Sequence, residues 1–287
     1  MEAHLIQNTP EWLAWRKDKI GASSLSIIMG LNPWKSPYTL WSEMLGLREP
    51  EPVNERMQRG TDLEPIAREY YFKLTGIEME PKVVVHPRSS TFFASLDGIN
   101  STGTQILEIK CGGKKLHDDA KNGIIPDYYN IQMQWQMYVT ELYDCHYLSF
   151  DGTEGILIVV KRDQELINKM IIAAEEFREM LRTITPPPFT ELDYDDKTDD
   201  AHWTNLMAYY ADYDRMEKDG KIGKEHIKQL LIEHANGRNV KGYNSKFTSY
   251  IQRGRVDYEA IPELKDLNLD IYRKPDIQCY KVTFTKD

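Results

Sequence analysis

Apolar positions along the first two thirds of the chain recur at helical spacing, then at strand spacing, then at helical spacing again. Residues 10–28 read as helical, with Trp12 and Trp15 followed by a Gly-Ala-Ser-Ser-Leu-Ser segment at 21–26 that can cap a new helix. Residues 30–37, Gly-Leu-Asn-Pro-Trp-Lys-Ser-Pro, form a turn-rich loop, and 38–45 predict a short helix stopped by Gly46. Residues 61–74 predict a further helix, opened by a capping box from Thr61 to Glu64 and closed by Gly76. β-Branched or aromatic runs follow at 83–85, 92–95 and 105–109, with 100–104 as the hairpin turn between the last two. A helix over 128–143 places Ile131, Trp135, Tyr138 and Leu142 on one face, with Gln132 and Gln136 beside it. Strands at 147–150 and 156–161 and a long amphipathic helix over 163–181 complete this part.

This alternation predicts an α/β fold, a mixed central β-sheet flanked by helices, over residues 1–188. Pro186, Pro187 and Pro188 cannot continue a helix, and 191–200 carries six acids against one lysine. Residues 189–200 therefore read as an acidic linker. Residues 201–287 read as a small C-terminal helical and β appendage: a pair of helices over 203–235, a basic hairpin or loop over 240–258, then a short helix and strand. No internal repeat is present.

Composition narrows the classes. At 41% hydrophobic and 28% charged residues, the chain has the balance of a globular protein. No apolar run is long enough to cross a bilayer, and the N-terminal residues lack the pattern of a signal peptide. The expected location is the cytoplasm. Cys111, Cys145 and Cys279 are scattered, which argues against a disulfide framework, a cysteine zinc site or an iron–sulfur cluster. The seven histidines show no HxxxH or HExxH spacing, which argues against a histidine-ligated zinc site. A net charge of −9 disfavours a histone-like binder, but metal-binding carboxylates count as negative until the metal arrives. The charge is also uneven. From 215 to 255 there are ten Lys/Arg against four Asp/Glu, with Tyr243, Phe247 and Tyr250 interleaved. That stretch suits phosphate contacts and base stacking, or equally a helix with solvated lysines.

The chemistry centres on Ser95-Leu-Asp97-Gly98 and, ten residues on, Glu108-Ile-Lys110. Positions i and i+2 of a strand face one way, so Glu108 and Lys110 project together while Leu107 and Ile109 face the core. The hairpin turn folds Asp97 beside Glu108. Two converging carboxylates suit a hard divalent cation, and the lysine can orient or deprotonate an attacking water or stabilise developing charge. Taken alone, the same residues fit a turn at Asp97-Gly98 and a solvated Glu–Lys pair on an edge strand. Gly112-Gly-Lys-Lys115 lacks the P-loop frame and reads as a flexible turn. Trp34 and Lys35 are candidates to meet a DNA end or to anchor their loop.

The order of Gly60-Thr-Asp-Leu-Glu64, Ser95-Leu-Asp97-Gly98, Leu107-Glu-Ile-Lys-Cys111 and a helical Gln-x-Gln beginning at Gln132 resembles the lambda exonuclease and YqaJ family of phage recombination exonucleases. These belong to the PD-(D/E)XK nuclease superfamily. The opening Trp12-Leu-Ala-Trp-Arg-Lys-Asp-Lys-Ile-Gly-Ala-Ser-Ser24 and the loop from Gly30 share the resemblance, which runs from about Trp12 to about Leu181. Leu96 stands where the superfamily name has proline. The resemblance implies that Asp97, Glu108, the Ile109 carbonyl and Glu64 hold Mg²⁺, with Mn²⁺ as a substitute. Lys110 would serve the nucleophilic water, and Gln132 would place Lys110 or the scissile phosphate. Lys19 and Ser23, with Ser95 and Arg16 as further candidates, would grip a 5′ phosphate. It further implies digestion of the 5′-ended strand of linear duplex DNA, leaving 3′ single strands for recombination. The implied partners are a single-strand annealing protein and further copies of the chain in a ring, a trimer being expected. The rivals are a restriction or repair endonuclease on this fold and a non-catalytic DNA-binding assembly protein.

Overall fold

The computed structural model of the chain describes residues 9–248 apart from 17–18, 51, 53, 237 and 243–244. In chain order the elements are α1 (Pro10–Arg16), β1 (Ile20–Gly21), α2 (Ala22–Ile28), α3 (Pro37–Met44) and α4 (Glu55–Thr75). There follow β2 (Glu80–Val85), β3 (Phe92–Ile99), β4 (Ile106–Lys110), α5 (Lys114–Lys121) and α6 (Asp127–Thr140). Then come β5 (Asp144–Phe150), β6 (Gly155–Lys161), α7 (Gln164–Thr183), α8 (Ala201–Ala235), β7 (Val240–Gly242) and β8 (Ser245–Phe247).

The central sheet is mixed. Its order is β1-β3-β4-β5-β6, with β2 also on β3. β1 pairs parallel with β3 and β4 with β5; β2 with β3, β3 with β4, and β5 with β6 pair antiparallel. Side chains of β4 and β5 alternate between two helical layers, as strand periodicity requires. Ile106, Cys145 and Tyr147 join the large core that contains Leu25, Trp41, Trp135, Met170 and Phe177, from α2, α3, α6 and α7. Leu107, Ile109, Leu148 and Phe150 pack against Ala67 and Tyr71 of α4. Both faces of β4 are thus covered, and this central strand has no solvent face.

Several expectations are corrected. The helix expected over 10–28 is interrupted because Ile20 and Gly21 leave helical geometry to pair with Phe92 and Phe93. Only glycine fits at 21, since an added Cβ would lie 2.6 Å from the Phe93 ring. The helix expected from Thr61 begins at Glu55, where the Asn54 side chain caps Met57 N at 3.0 Å. Thr61 is an interior position whose hydroxyl donates to Met57 O at 3.2 Å. The capping box is absent, so Glu64 has no role at a helix start. The Gly112–Lys115 turn is in part the first turn of α5, with Gly113 at its N-cap. The 100–104 hairpin forms as expected: the Asn100 carboxamide oxygen accepts from Thr104 N and Gln105 N, and Gly103 takes φ +69°.

The chain divides into two units, Met1–Asp196 and Lys197–Asp287. The early part of the expected 189–200 linker is not a free spacer. Phe189 packs on Tyr38 with ring centroids 4.3 Å apart, and Asp193 accepts from Ser36 and from Thr39 at 3.2 Å. In the second unit, the pair of helices expected over 203–235 is one unbroken helix, α8. Gly220 and Gly223 weaken it by roughly 1 kcal/mol each. Ion pairs Arg215–Asp212, Lys218–Asp214, Lys221–Glu217 and Lys228–Glu225 support it along its own surface. Those pairs occupy four of the bases in the 215–255 stretch. The hairpin expected over 240–258 is described only through 248, where β7 and β8 pair; Tyr243, Tyr250, Cys279 and the expected terminal helix and strand lie outside the described residues.

Candidate active site

β3 and β4 pair only at Gly98–Leu107 and Ile99–Ile106, and beyond these pairs the two strands part. Asp97 fills the opening: its carboxylate accepts from Ile109 N at 2.8 Å, replacing a ladder bond with a side-chain bond. N–H and C=O of one strand residue point the same way, so the Ile109 carbonyl also faces the parting. From α4, the Glu64 carboxyl is brought up against that of Asp97, and one turn later Arg68 Nη1 donates to Asp97 O at 2.9 Å.

Glu108 points to the opposite layer, beneath α6, and is fully buried. Gln132 Nε2 donates to one of its oxygens at 2.6 Å, and Gln136 Nε2 to the other at 2.5 Å. Lys110 pairs with the oxygen that Gln132 also binds, and its Nζ lies 4.7 Å from the centre of the Tyr129 ring. Glu64, Asp97, Glu108, Lys110 and Gln132 are therefore brought together. Gln132 acts on Glu108 rather than on Lys110 directly, and it is half-buried rather than solvated.

The electrostatics follow from this crowding. Burial pushes the Asp97 carboxyl up from 3.8 to about 7, with repulsion from Glu64 adding and Lys110 opposing. Burial likewise pushes Glu108 up from 4.5 to about 7, with Asp97 adding and Lys110 opposing. For Lys110 burial acts to lower the ammonium's pKa, but Glu108, Asp97 and Tyr129 together outweigh it and raise it. The cluster holds more negative than positive charge in a poorly solvated place. The neighbouring Cys111 thiol is pushed up to about 11, mainly by burial, so it is no thiolate nucleophile near neutrality.

Of the candidates for a DNA end, Ser95 lies on β3 and the others lie in or beside α1, β1 and α2. Lys19 and Ser23 flank β1, which runs beside Phe92 and Phe93, two residues before Ser95. Lys19 Nζ lies 4.9 Å from the Trp15 ring centre, Ser23 is exposed, and the Ser95 hydroxyl is buried without a hydrogen-bond partner among the described residues. Arg16 is turned elsewhere: its guanidinium lies 4.4 Å from the Trp12 ring and 5.9 Å from that of Phe93, and burial lowers its pKa. Lys35 is held by Glu43 at 2.8 Å, whereas Trp34 is two-thirds exposed, with its ring edge-to-face on Tyr128.

Sequence reasoning missed three contributors: Gln136, Arg68 and Tyr129. Gln136 had a signal, since it lies one helical turn past Gln132 on the same face. Arg68 stands in the same relation to Glu64. Tyr129 carries no signal in the sequence.

Residues 11–143 match the model of a YqaJ-like viral recombinase domain. Among solved structures, the alkaline exonuclease LHK-Exo of Laribacter hongkongensis is 31% identical; the match covers 61% of this chain and 93% of that one, with a TM-score of 0.54. The same exonuclease in complex with dAMP is 32% identical, with the same coverage and TM-score. YqaJ of Bacillus subtilis (strain 168) is 30% identical over 173 residues, 58% of this chain and 54% of that protein. A protein of Acanthamoeba polyphaga mimivirus is 29% identical over 156 residues, 50% of this chain and 28% of that one. The chain thus spans about half the length of the first of these two relatives and under a third of the second.

Proposed function

Because the chain belongs to the YqaJ-like viral recombinase family, we propose that it is a DNA exonuclease of the recombination type, acting through Asp97, Glu108, Lys110, Glu64 and Gln132. The observation that carries this reading is the pair of carboxyls, the half-buried Asp97 and the fully buried Glu108, both raised to about 7 where β3 and β4 part. A binding module has no use for such unneutralised charge.

The donor set fits a divalent cation. Asp97, Glu108, Glu64 and the Ile109 carbonyl are hard oxygen donors, and their excess negative charge is what a cation would neutralise. We assign Mg²⁺, with Mn²⁺ as a substitute. When bound, the ion polarises the phosphate and lowers the pKa of a coordinated water. The chain's own residues do the rest. Glu64 and Arg68 fix Asp97 from one side, and Gln132 and Gln136 fix Glu108 from the other. Lys110, whose ammonium is stabilised, acts as a charged donor that orients water and offsets negative charge on the phosphate. As it stands it is no base.

The finer reading is removal of nucleotides from the 5′-ended strand of linear duplex DNA, leaving a 3′ single strand for an annealing protein. The alkaline exonuclease LHK-Exo carries dAMP, a mononucleotide of the kind such a reaction releases. A ring of subunits, a trimer, would keep the enzyme on its substrate by enclosing it; light scattering tests this, and a monomer would refute it. The deciding experiment incubates the full chain and Mg²⁺ with end-labelled linear duplex and with covalently closed circles. Mononucleotides released from linear ends only are expected. Nicking of circles would make it an endonuclease, and intact DNA in both arms would remove the catalytic reading.

A further inference from the structure

Away from the β3–β4 parting, α5 and the turn between β5 and β6 bring together three Lewis bases, His117, Asp151 and Glu154. His117 is 4% exposed, and its Nε2 has no hydrogen-bond partner among the described residues. That nitrogen faces Asp151 Oδ2 and Glu154 Oε2, each at 3.8 Å. The other ring nitrogen, Nδ1, lies 3.3 Å from Ser149 Oγ, a bond that leaves the Nε2 lone pair free when Nδ1 carries the proton. Asp151 is fixed as well: its Oδ1 accepts from Thr153 N, Thr153 Oγ1 and Glu154 N at 2.8–2.9 Å, leaving Oδ2 for the cluster.

We propose that His117, Asp151 and Glu154 form a second cation site, selective for a zinc-class divalent ion and separate from the carboxylates at the strand parting. The geometry supports this. Donor atoms of the three residues lie within 4.8 Å of one another. Two ligands about 2 Å from a tetrahedral ion stand roughly 3.4 Å apart, so the 3.8 Å separations need close by only a few tenths of an ångström. The turn can supply that, since the Asp151 and Glu154 side chains are 37% and 55% exposed. Lys121 Nζ, 3.0 Å from Glu154 Oε2, is the competing cation, and as a half-exposed side chain it can swing aside.

Ligand type sets the selectivity. One imidazole with two carboxylates favours a borderline ion such as Zn²⁺ or Co²⁺ over Mg²⁺, whereas the oxygen-only set at Asp97 and Glu108 favours Mg²⁺ or Mn²⁺. A fourth position remains for water on the side of a cavity of about 360 Å³ that Arg59, Lys114 and Lys121 also line. The ion would pin α5, which begins four residues past Lys110, to the β5–β6 turn. Histidine spacing could not reveal the site, because its ligands lie 34 and 37 positions apart along the chain. The inference stands independently of the proposed nuclease activity.

The test uses the full chain carrying D97N and E108Q, which removes the first site. After chelation, the protein is equilibrated with Co²⁺ or Zn²⁺, desalted and assayed by elemental analysis and visible absorption. One ion per chain is expected, with the intense visible bands of four-coordinate Co²⁺, undiminished by excess Mg²⁺. Adding H117A should abolish binding, and adding E154Q, on the exposed turn, should weaken it at least tenfold. Zn²⁺ should raise the melting temperature of the D97N/E108Q protein but not of the H117A derivative. No retained ion in D97N/E108Q, or unchanged binding in E154Q, would overturn the site; E154Q carries the test if H117A fails to fold.

Discussion

Asp97→Asn should make the metal-free protein more stable while abolishing cleavage. The asparagine keeps an oxygen to accept from Ile109 N and gains an N–H₂ that can donate to Glu64, so geometry is preserved and one charge is removed. Displacement of the Asp97 carboxyl from 3.8 to about 7 corresponds to roughly 4 kcal/mol, at about 1.4 kcal/mol per pH unit. Partial solvent access and sharing with Glu64 and Glu108 reduce what one substitution recovers to about 2 kcal/mol. The sign follows from linkage. Between 3.8 and about 7 the folded state binds the proton that the unfolded state has released, so wild-type stability falls as pH rises through that window. Below it the wild type and the variant should match; above it the full difference should be present. For a unit of this size the gain corresponds to roughly 4–8 °C in melting temperature. The assay is thermal unfolding with EDTA at several pH values from about 4 to 8, repeated with Mg²⁺, which should narrow the gap by stabilising only the wild type. An equal gain at pH 4 and pH 8, or a loss at pH 8, would refute the electrostatic account.

Lys110→Met should abolish cleavage yet retain Mg²⁺ or Mn²⁺ binding by calorimetry, whereas Asp97→Ala and Glu108→Ala should lose both; robust cleavage by the methionine variant would remove the lysine from the mechanism. Gln136→Leu, which strips a donor from Glu108 without touching substrate, should weaken metal affinity by roughly 10–100-fold while the far-UV spectrum stays unchanged. Lys19→Ala and Ser23→Ala should each erase most of any preference for 5′-phosphorylated over 5′-hydroxyl ends while cleavage persists, and an unaltered preference would locate the phosphate pocket elsewhere. Asn54→Ala should destabilise the first unit by about 1 kcal/mol in urea titration and Thr61→Ala by little, because the cap lies at 54.

The strands were legible because their β-branched and aromatic runs are separated by local turns such as the one at Asn100 and Gly103. Strand parity alone put Glu108 and Lys110 on one side, and the hairpin put Asp97 near them. Features that depend on distant partners were not legible. Residues 20–21 become a strand only because Phe92 and Phe93 lie alongside. The start of α4 was misplaced because Gly60 and Thr61 imitate a helix start, while the true cap, Asn54, follows a stretch of prolines and acids. The continuity of α8 was not legible either: Gly220 and Gly223 lie inside it, and the paired charges around them support it. The two-sided grip on Asp97 and Glu108, by Arg68 and Gln136, needed the third dimension.

Where two strands separate, a backbone amide ordinarily turns to water and exchanges its hydrogen freely. At Ile109 a side chain holds that hydrogen instead, and the side chain is the Asp97 carboxylate. The Ile109 N–H is therefore a resident spectroscopic probe. Its nitrogen resonance should follow the protonation of Asp97, and its exchange rate should register how firmly that carboxylate keeps its post when an ion or a nucleic acid end arrives. A single isotopically labelled amide can then report on the centre of the site without any substitution in it.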